Sequence, residues 1–195
     1  GLEIVYVEQP SQDGTADALR VASDHLEGEL FAVLNGDGLY DPQSLRAIYD
    51  SGPAVGAYRV EDPSQYGVLE LSEDGSTVTG VIEKPADPPS DLVNTGAYVF
   101  PEVAKEWLDV EASERGEREL TDVLERACQE VSVVPVEMNR WLDVGRPWDL
   151  LEANEWLVSE RSRAIAGNVH PGADLHGTVV VEPGATIKSG VVVEG

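Results

Sequence analysis

With 195 residues, 42% of them apolar, the chain has enough material for one large domain plus an appendage. Its 13 Lys and Arg stand against 37 Asp and Glu, a formal net charge of −24 spread along the whole length. That excludes a nucleic-acid or anionic-membrane surface and requires that a phosphate-bearing partner be met by local cations, metal ions or backbone amides. Evenly distributed acid with few lysines also resembles the surfaces of halophilic proteins. Cys128 is the only cysteine, so no intrachain disulfide forms and a cytoplasmic location is expected; no signal peptide, transmembrane run or lipidation motif is visible. A strand pattern starts directly after Gly1 with no initiator methionine, and residues 191–195 stop in mid-pattern, so the chain is expected to be an internal fragment of a longer protein.

Residues 2–7 alternate and are β-branched, predicting a strand, and 8–13 read as a polar loop. Thr15 is expected to cap a helix over 16–25, with Ala18, Leu19, Ala22 and Leu26 on one face and Asp17 near its positive end. The apolar run 30–34 predicts a short buried strand that ends in Asn35-Gly36-Asp37-Gly38. One acid at the carboxyl end of such a strand is where open α/β sheets place ligands and metals. Gly36 and Gly38 lack a Cβ, so amides can approach a phosphate while Asp37 reaches a hard cation such as Mg²⁺. Taken alone, residues 34–42 fit a hairpin-closing Asp-Gly turn equally well. Asp41 as N-cap, Pro42 at the first helical position and apolar Leu45, Ile48 and Tyr49 decide for a following helix, 42–51, and a strand, 54–60. The resulting β-α-β-α-β order predicts an α/β fold with a mostly parallel sheet and helices on both faces.

After Tyr58 the rhythm changes. Residues 67–71 and 77–84 read as an antiparallel hairpin, followed by a Pro-rich loop at 85–89, a strand at 94–100 and a helix at 101–108. Leu120, Val123, Leu124 and Ala127 mark a helix, beside which Cys128 is expected to be a small buried apolar residue. A strand at 131–137 follows. Pro147 is expected to open a helix to about Arg163, with Leu150, Leu151, Asn154, Leu157, Val158 and Arg161 on one face and Trp148 and Trp156 as packing residues. In the tail, Val169, Leu175, Val181, Ile187 and Val193 stand six apart, the period of a parallel β-helix. So short a stretch cannot stack a core alone and is expected to begin a truncated β-helical domain, with His170 and His176 as exposed neighbours on it.

The motifs fall in the order of a known family. The chain resembles the sugar-1-phosphate nucleotidyltransferases, which include glucose-1-phosphate thymidylyltransferase and the uridylyltransferase half of the bifunctional acetylglucosamine-1-phosphate enzymes. The resemblance spans about residues 2–165, and the tail is similar to the left-handed β-helix that many members carry. It implies a Rossmann-like, mostly parallel mixed sheet flanked by helices, divided into a nucleotidyltransferase domain at 1–165 and the start of a β-helix at 166–195. Gln9-Pro10-Ser11-Gln12-Asp13-Gly14-Thr15 resembles the segment that reads the base, implying Gln9, Gly14 and Thr15 as nucleotide contacts and uracil or thymine as the base, together with Gly36 at the phosphates. Asn35-Gly36-Asp37 and Trp141-Leu142-Asp143-Val144-Gly145 resemble the two segments whose aspartates hold Mg²⁺, implying Asp37 and Asp143 as metal ligands. Tyr66-Gly67-Val68, Ile82-Glu83-Lys84-Pro85 and Asn94-Thr95-Gly96 resemble the sugar side, implying Gly67, Glu83, Asn94 and Thr95 at the sugar and Lys84 at its phosphate. The implied partners are a nucleoside triphosphate and glucose or acetylglucosamine 1-phosphate, with a homo-oligomer through the β-helix. The family's opening Gly-rich loop with its arginine and lysine has no counterpart here, so residues 1–195 alone are expected to be inactive. Two other readings stay open: a non-catalytic homologue serving assembly or regulation, and a two-activity enzyme whose β-helix is an acyltransferase.

Overall fold

The computed structural model describes residues 3–113 and 116–194 and divides into two compact units, Gly1–Trp141 and Leu142–Gly195. Leu2 of the expected first strand and Gly195 of the tail lie outside the described residues. The remainder of that expected strand is not one. Residues 3–9 have no regular structure, and Ile4, Val5 and Tyr6 are 63%, 59% and 90% exposed. Alternation predicts a strand only where a neighbour supplies the ladder, and no described strand lies alongside.

In the first unit Thr15–Ala22 (α1) runs into a 3₁₀ turn at Ser23–His25. Leu30–Leu34 (β1), Gly38–Tyr40 (β2), Pro42–Asp50 (α2) and Ala54–Arg59 (β3) follow. Gly67–Leu71 (β4) and Val78–Glu83 (β5) form the expected hairpin, and Leu92–Pro101 (β6) is a ten-residue strand. Glu102–Trp107 is a 3₁₀ segment where an α-helix was expected, and Leu120–Glu130 (α3) and Val134–Glu137 (β7) complete the unit.

The sheet is mixed, in the order β5-β4-β6-β3-β7, with β1 also paired to β6. The mostly parallel expectation is corrected: β1–β6, β3–β6, β4–β6 and β4–β5 are antiparallel, and only β3–β7 is parallel. β1 and β3 do run the same way, as a βαβ unit requires, but β6 inserts between them, which local pattern cannot reveal. Helices cover both faces, as expected. Phe31, Val55, Tyr98 and Phe100 pack under α1 and α3 through Leu19, Val123 and Leu124, while Ile48 of α2 closes the other face over Ala54, Ala97 and Val99. Cys128 is half-buried against the first of these layers, and burial pushes its thiol up to about 11.

Trp141–Asp143 (β8) carries the chain into the second unit. There the helix is Asp149–Ser159 (α4), two residues later than Pro147 suggests, because Asp149 Oδ2 accepts from Arg146 N (2.8 Å) in a preceding turn and Trp148 becomes the N-cap. Its buried residues are Ala153 and Trp156, whereas Leu150, Leu151 and Leu157 are exposed, so the expected apolar stripe is not the covered face. Trp148 is likewise exposed, under the Arg146 guanidinium.

Short strands of two or three residues make up the tail: Ala164–Ile165 (β9), Asn168–Val169 (β10), Asp174–His176 (β11), Val180–Val181 (β12), Thr186–Ile187 (β13) and Val192–Glu194 (β14). The pairs β10–β13 and β11–β14 are parallel with registers Val169↔Ile187 and Leu175↔Val193, three hexads apart, and β9–β12 is parallel too. Val181 is buried and Val169, Leu175, Ile187 and Val193 are half-buried, with mostly exposed residues between them; His170 and His176 are exposed. No helix among the described residues is long and apolar enough to cross a membrane.

Candidate active site

The site is organised by a split in the sheet. One edge of β6 pairs with β3 along its length; the other is shared by two strands that approach from opposite ends. β1 stops at Leu34, opposite Ala97, and β4 begins at Gly67, with Val68 opposite Val93. Between them Asn94, Thr95 and Gly96 have no strand partner on that edge among the described residues. Gly96 takes φ 73°, and a side chain there would collide with Asn35. Asn35 N donates to Gly96 O (2.9 Å) and Asn94 Oδ1 accepts from Gly96 N (2.9 Å), so the break in β6 is locked to the loop after β1. Both antiparallel to β6, β1 and β4 run in the same direction, one after the other along this edge, with a three-residue gap between them.

Asp37 stands in the turn after β1, exposed, and makes no hydrogen bond or ion pair among the described residues. A Cβ on Gly36 would meet nothing within 4 Å, so its side-chain face is open. Gly38 serves a different end from the one expected: the Tyr40 ring folds over it, and Tyr40 Oη donates toward Thr95 O (3.1 Å) and Gly96 O (3.3 Å). Asp41 caps α2 as the sequence predicts, accepting from Gln43 N (3.3 Å) and Ser44 N (2.9 Å). The Ser44 hydroxyl (2.6 Å) is the largest cause holding the Asp41 carboxyl below the usual range. Asn139 N donates to Ser44 Oγ (3.0 Å) and Asp41 N to Arg140 O (3.2 Å), so the stretch leading to Trp141 is fastened beside the Asp37 loop. Trp141 packs on Tyr58 and Tyr66 at 5.8 and 5.6 Å between ring centroids.

From the β4 side, Gly67 and Glu83 are direct cross-strand partners. A Gly67 Cβ would stand 3.1 Å from Val81 and 3.2 Å from Glu83 Oε2, a tight fit that a small shift of the Glu83 side chain would ease. Lys84 follows with φ 44°, the one non-glycine positive φ among the described residues, and its N–H donates to Tyr66 O (3.0 Å). Its ammonium lies 3.8 Å from Glu83 Oε1 in an exposed pair, a contact of little energetic weight. Asn94 Nδ2 donates to Tyr98 Oη (2.6 Å), and burial pushes that phenol up to about 12. Thr95 departs from expectation. It is 3% exposed, faces Ile48 and Gly56 on the α2 side, and its hydroxyl has no hydrogen-bond partner among the described residues, so it is a buried packing residue on the face opposite Asn94.

The base segment forms a third cluster. Gly14, at φ 109°, lies against the Arg118 backbone, where any side chain would overlap it, and Ala16 N donates to Arg118 O (2.9 Å). Thr15 does not cap its own helix, whose N-cap is Gly14. Its Oγ1 instead accepts from Leu120 N (3.0 Å), supplying α3 with the cap Glu119 does not provide. Thr15→Ala is therefore expected to cost about 1 kcal/mol in urea unfolding, with Thr15→Ser close to the parent; equal midpoints for all three would contradict it. Gln9 Nε2 donates to Gly14 O (3.2 Å) and to Asp17 Oδ2 (2.8 Å), and Asp17, 2% exposed, also binds Arg20. Sequence reading missed Asp17, which it placed merely near the helix end. Asp143 is half-buried in the second unit, whereas the residues described above lie in the first.

Among the described residues no three His, Cys, Asp or Glu side chains cluster as a metal cage. Mg²⁺ does not require one: it keeps several waters and uses one or two carboxylates with substrate phosphates. A solvent-facing Asp37 that has no partner among the described residues, beside an open Gly36, fits that demand.

A mixed sheet with helices on both faces, split beside a glycine-acid loop, is an α/β architecture, and comparison with known proteins places it in a family. Residues 1–160 match the nucleotidyl transferase family, and the chain belongs to it. It is 37% identical over 185 residues to the bifunctional protein GlmU of Methanocaldococcus jannaschii, covering 94% of this chain and 45% of that protein. It is 34% identical over 187 residues to the low-salt glycan biosynthesis nucleotidyltransferase Agl11 of Haloferax volcanii, covering 92% and 52%. The chain thus spans about half the length of the curated relatives it matches. Among solved structures, UDP-glucose pyrophosphorylase complexed with UDP-glucose superposes with a TM-score of 0.69 at 24% identity, covering 80% of this chain and 66% of that one; the apo form gives 0.71, 24%, 80% and 64%. These likenesses show the fold.

Proposed function

We propose that this chain supplies most of the site of a sugar-1-phosphate nucleotidyltransferase, which joins a nucleoside triphosphate, UTP or dTTP, to glucose or acetylglucosamine 1-phosphate. In the reaction a phosphate oxygen of the sugar 1-phosphate attacks the α-phosphorus in line. The bond from that phosphorus to the bridging oxygen breaks, pyrophosphate leaves, and a nucleotide sugar forms. No covalent enzyme intermediate is needed, so catalysis rests on positioning and on compensating phosphate charge.

In this reading Gln9 and Gly14 meet the base, Thr15 walls its pocket, and Gly36 admits the phosphates. Gly67, Glu83 and Asn94 border the sugar, and Lys84 neutralises the sugar phosphate. Thr95 acts only from beneath, through packing. Asp37 and Asp143 would hold Mg²⁺, which when bound supplies positive charge for the phosphate oxygens. The observation that carries the reading is the split beside Asn94–Gly96, where the Asp37 loop arrives from one side and Gly67, Glu83 and Lys84 from the other. We further propose that 1–165 is the transferase domain and that the 18-residue registers of the tail begin a left-handed β-helix through which the protein self-associates. Pyrophosphate release by the full-length protein, measured over a panel of nucleoside triphosphates and both sugar phosphates, is expected with UTP or dTTP; absence of turnover with every pair overturns the proposal.

A further inference from the structure

We infer that Asp17 is a positioning residue that fixes the Gln9 amide with its NH₂ turned to Asp17 and Gly14, leaving its carbonyl oxygen as the group offered to a base, and so selects triphosphates whose base carries a ring N–H, uracil or thymine, over cytosine. The inference rests on the transferase reading and on Gln9 as the base contact.

A glutamine amide has two N–H donors and one carbonyl acceptor. Both Gln9 donors are committed, one to Gly14 O at 3.2 Å and one to Asp17 Oδ2 at 2.8 Å. Turned over, the amide would set its oxygen against a carboxylate and a carbonyl, exchanging two hydrogen bonds for repulsion between acceptors. The orientation is therefore dictated by chemistry.

It holds only while Asp17 stays ionised, since a protonated acid could donate. A carboxyl group is ionised at neutral pH without further help, and Arg20 occupies only the other oxygen, through Nε at 3.0 Å and through its terminal nitrogen at 2.6 Å. The Gln9 amide first and the Arg20 guanidinium second hold the carboxyl below its ordinary value. Asp17 also sits on α1, whose N-terminus is fastened to Arg118 and Leu120, so the carboxylate does not drift. What remains of Gln9 for a ligand is one acceptor. Uracil and thymine present N3–H to such a group, whereas cytosine presents a lone pair at N3. UTP and CTP are nearly the same size and differ at this edge, where cytosine can offer a hydrogen only from its exocyclic N4–H₂, displaced from the N3 position that uracil uses.

The test is kcat/KM for UTP and CTP with one sugar 1-phosphate, in full-length protein. The unmodified protein is expected to favour UTP on the order of 10²-fold or more, as sites with committed hydrogen-bonding groups do. In Asp17→Asn the partner can donate as well as accept, the Gln9 amide is free to turn, and the ratio is expected to fall at least about tenfold. Arg20→Ala leaves the Gln9–Asp17 bond in place and is expected to stay within about threefold of the unmodified ratio, which a merely structural role for the cluster would not predict. An unmodified ratio near one, or an unchanged ratio in Asp17→Asn, overturns the inference while leaving the transferase reading intact; no turnover with any triphosphate overturns both. Should Asp17→Asn fail to fold, the Gln9 side-chain NH₂ resonances of the unmodified, nucleotide-free protein decide. Both protons are expected to exchange slowly, and fast exchange of either overturns the assignment.

Discussion

Asp37→Asn in the full-length protein is expected to lower kcat for pyrophosphate release by a factor on the order of 10²–10³, the range seen when one preorganised charge-stabilising group is lost. Stability should scarcely move, within about 0.5 kcal/mol, because an exposed side chain away from packing or capping contributes little. Both halves follow from its setting. The carboxylate stands in the turn after β1, exposed, with no hydrogen bond or ion pair among the described residues, so it does no structural work there. In a chain of net charge −24, such an acid in the proposed phosphate-binding site repels phosphate unless a cation joins it. A Mg²⁺ titration of the same variant should shift its midpoint upward. Unchanged kcat together with an unchanged Mg²⁺ midpoint in Asp37→Asn would remove Asp37 from the site, and the metal assignment with it.

What the sequence discloses divides by how local the cause is. The start of α2 is written in Asp41-Pro42, because a cap needs only the three residues that follow it, and the structure has both cap bonds. The hairpin β4–β5 and the helix α3 are legible for the same reason. The sheet is not, because β6 comes to lie between β1 and β3 only after a long excursion of the chain. Residues 3–7 alternate as a strand does yet lack a neighbour, and the apolar positions of α4 recur at helical spacing while Leu150 and Leu151 stay exposed. Within the candidate site the pattern repeats. The turn after β1 is legible in its glycines, and alternation along β6 places Thr95 on the face of Ala97 and Val99; the break at Gly96 and its bond to Asn35 are not legible, because they depend on a loop about 60 residues earlier. Nor could Thr15 be seen as the cap of a helix that begins 105 residues later.

Lys84→Gly is expected to raise stability and destroy function together. At φ 44° a residue with a Cβ is strained, on the order of 1–2 kcal/mol, and glycine relieves most of that while adding its own entropic cost, leaving a net gain of about 0.5–1 kcal/mol. The exposed pair with Glu83, at 3.8 Å, does not offset this. Nothing in the packing requires lysine there, so the strain is held by the Lys84 N–H to Tyr66 O bond, which draws the end of β5 against the start of β4 at the split in the sheet. Removing the ammonium should cost on the order of 10²-fold in kcat/KM for the sugar phosphate, since the chain holds only 13 Lys and Arg and little other charge is at hand to replace it. Lys84→Met separates the two effects: the same loss of activity, without the gain in stability. Turnover near the parental rate in both variants would strike Lys84 from the mechanism, whereas loss of activity with no gain in the unfolding midpoint of Lys84→Gly would show that the left-handed turn costs the fold nothing and that the lysine is placed by its side chain alone.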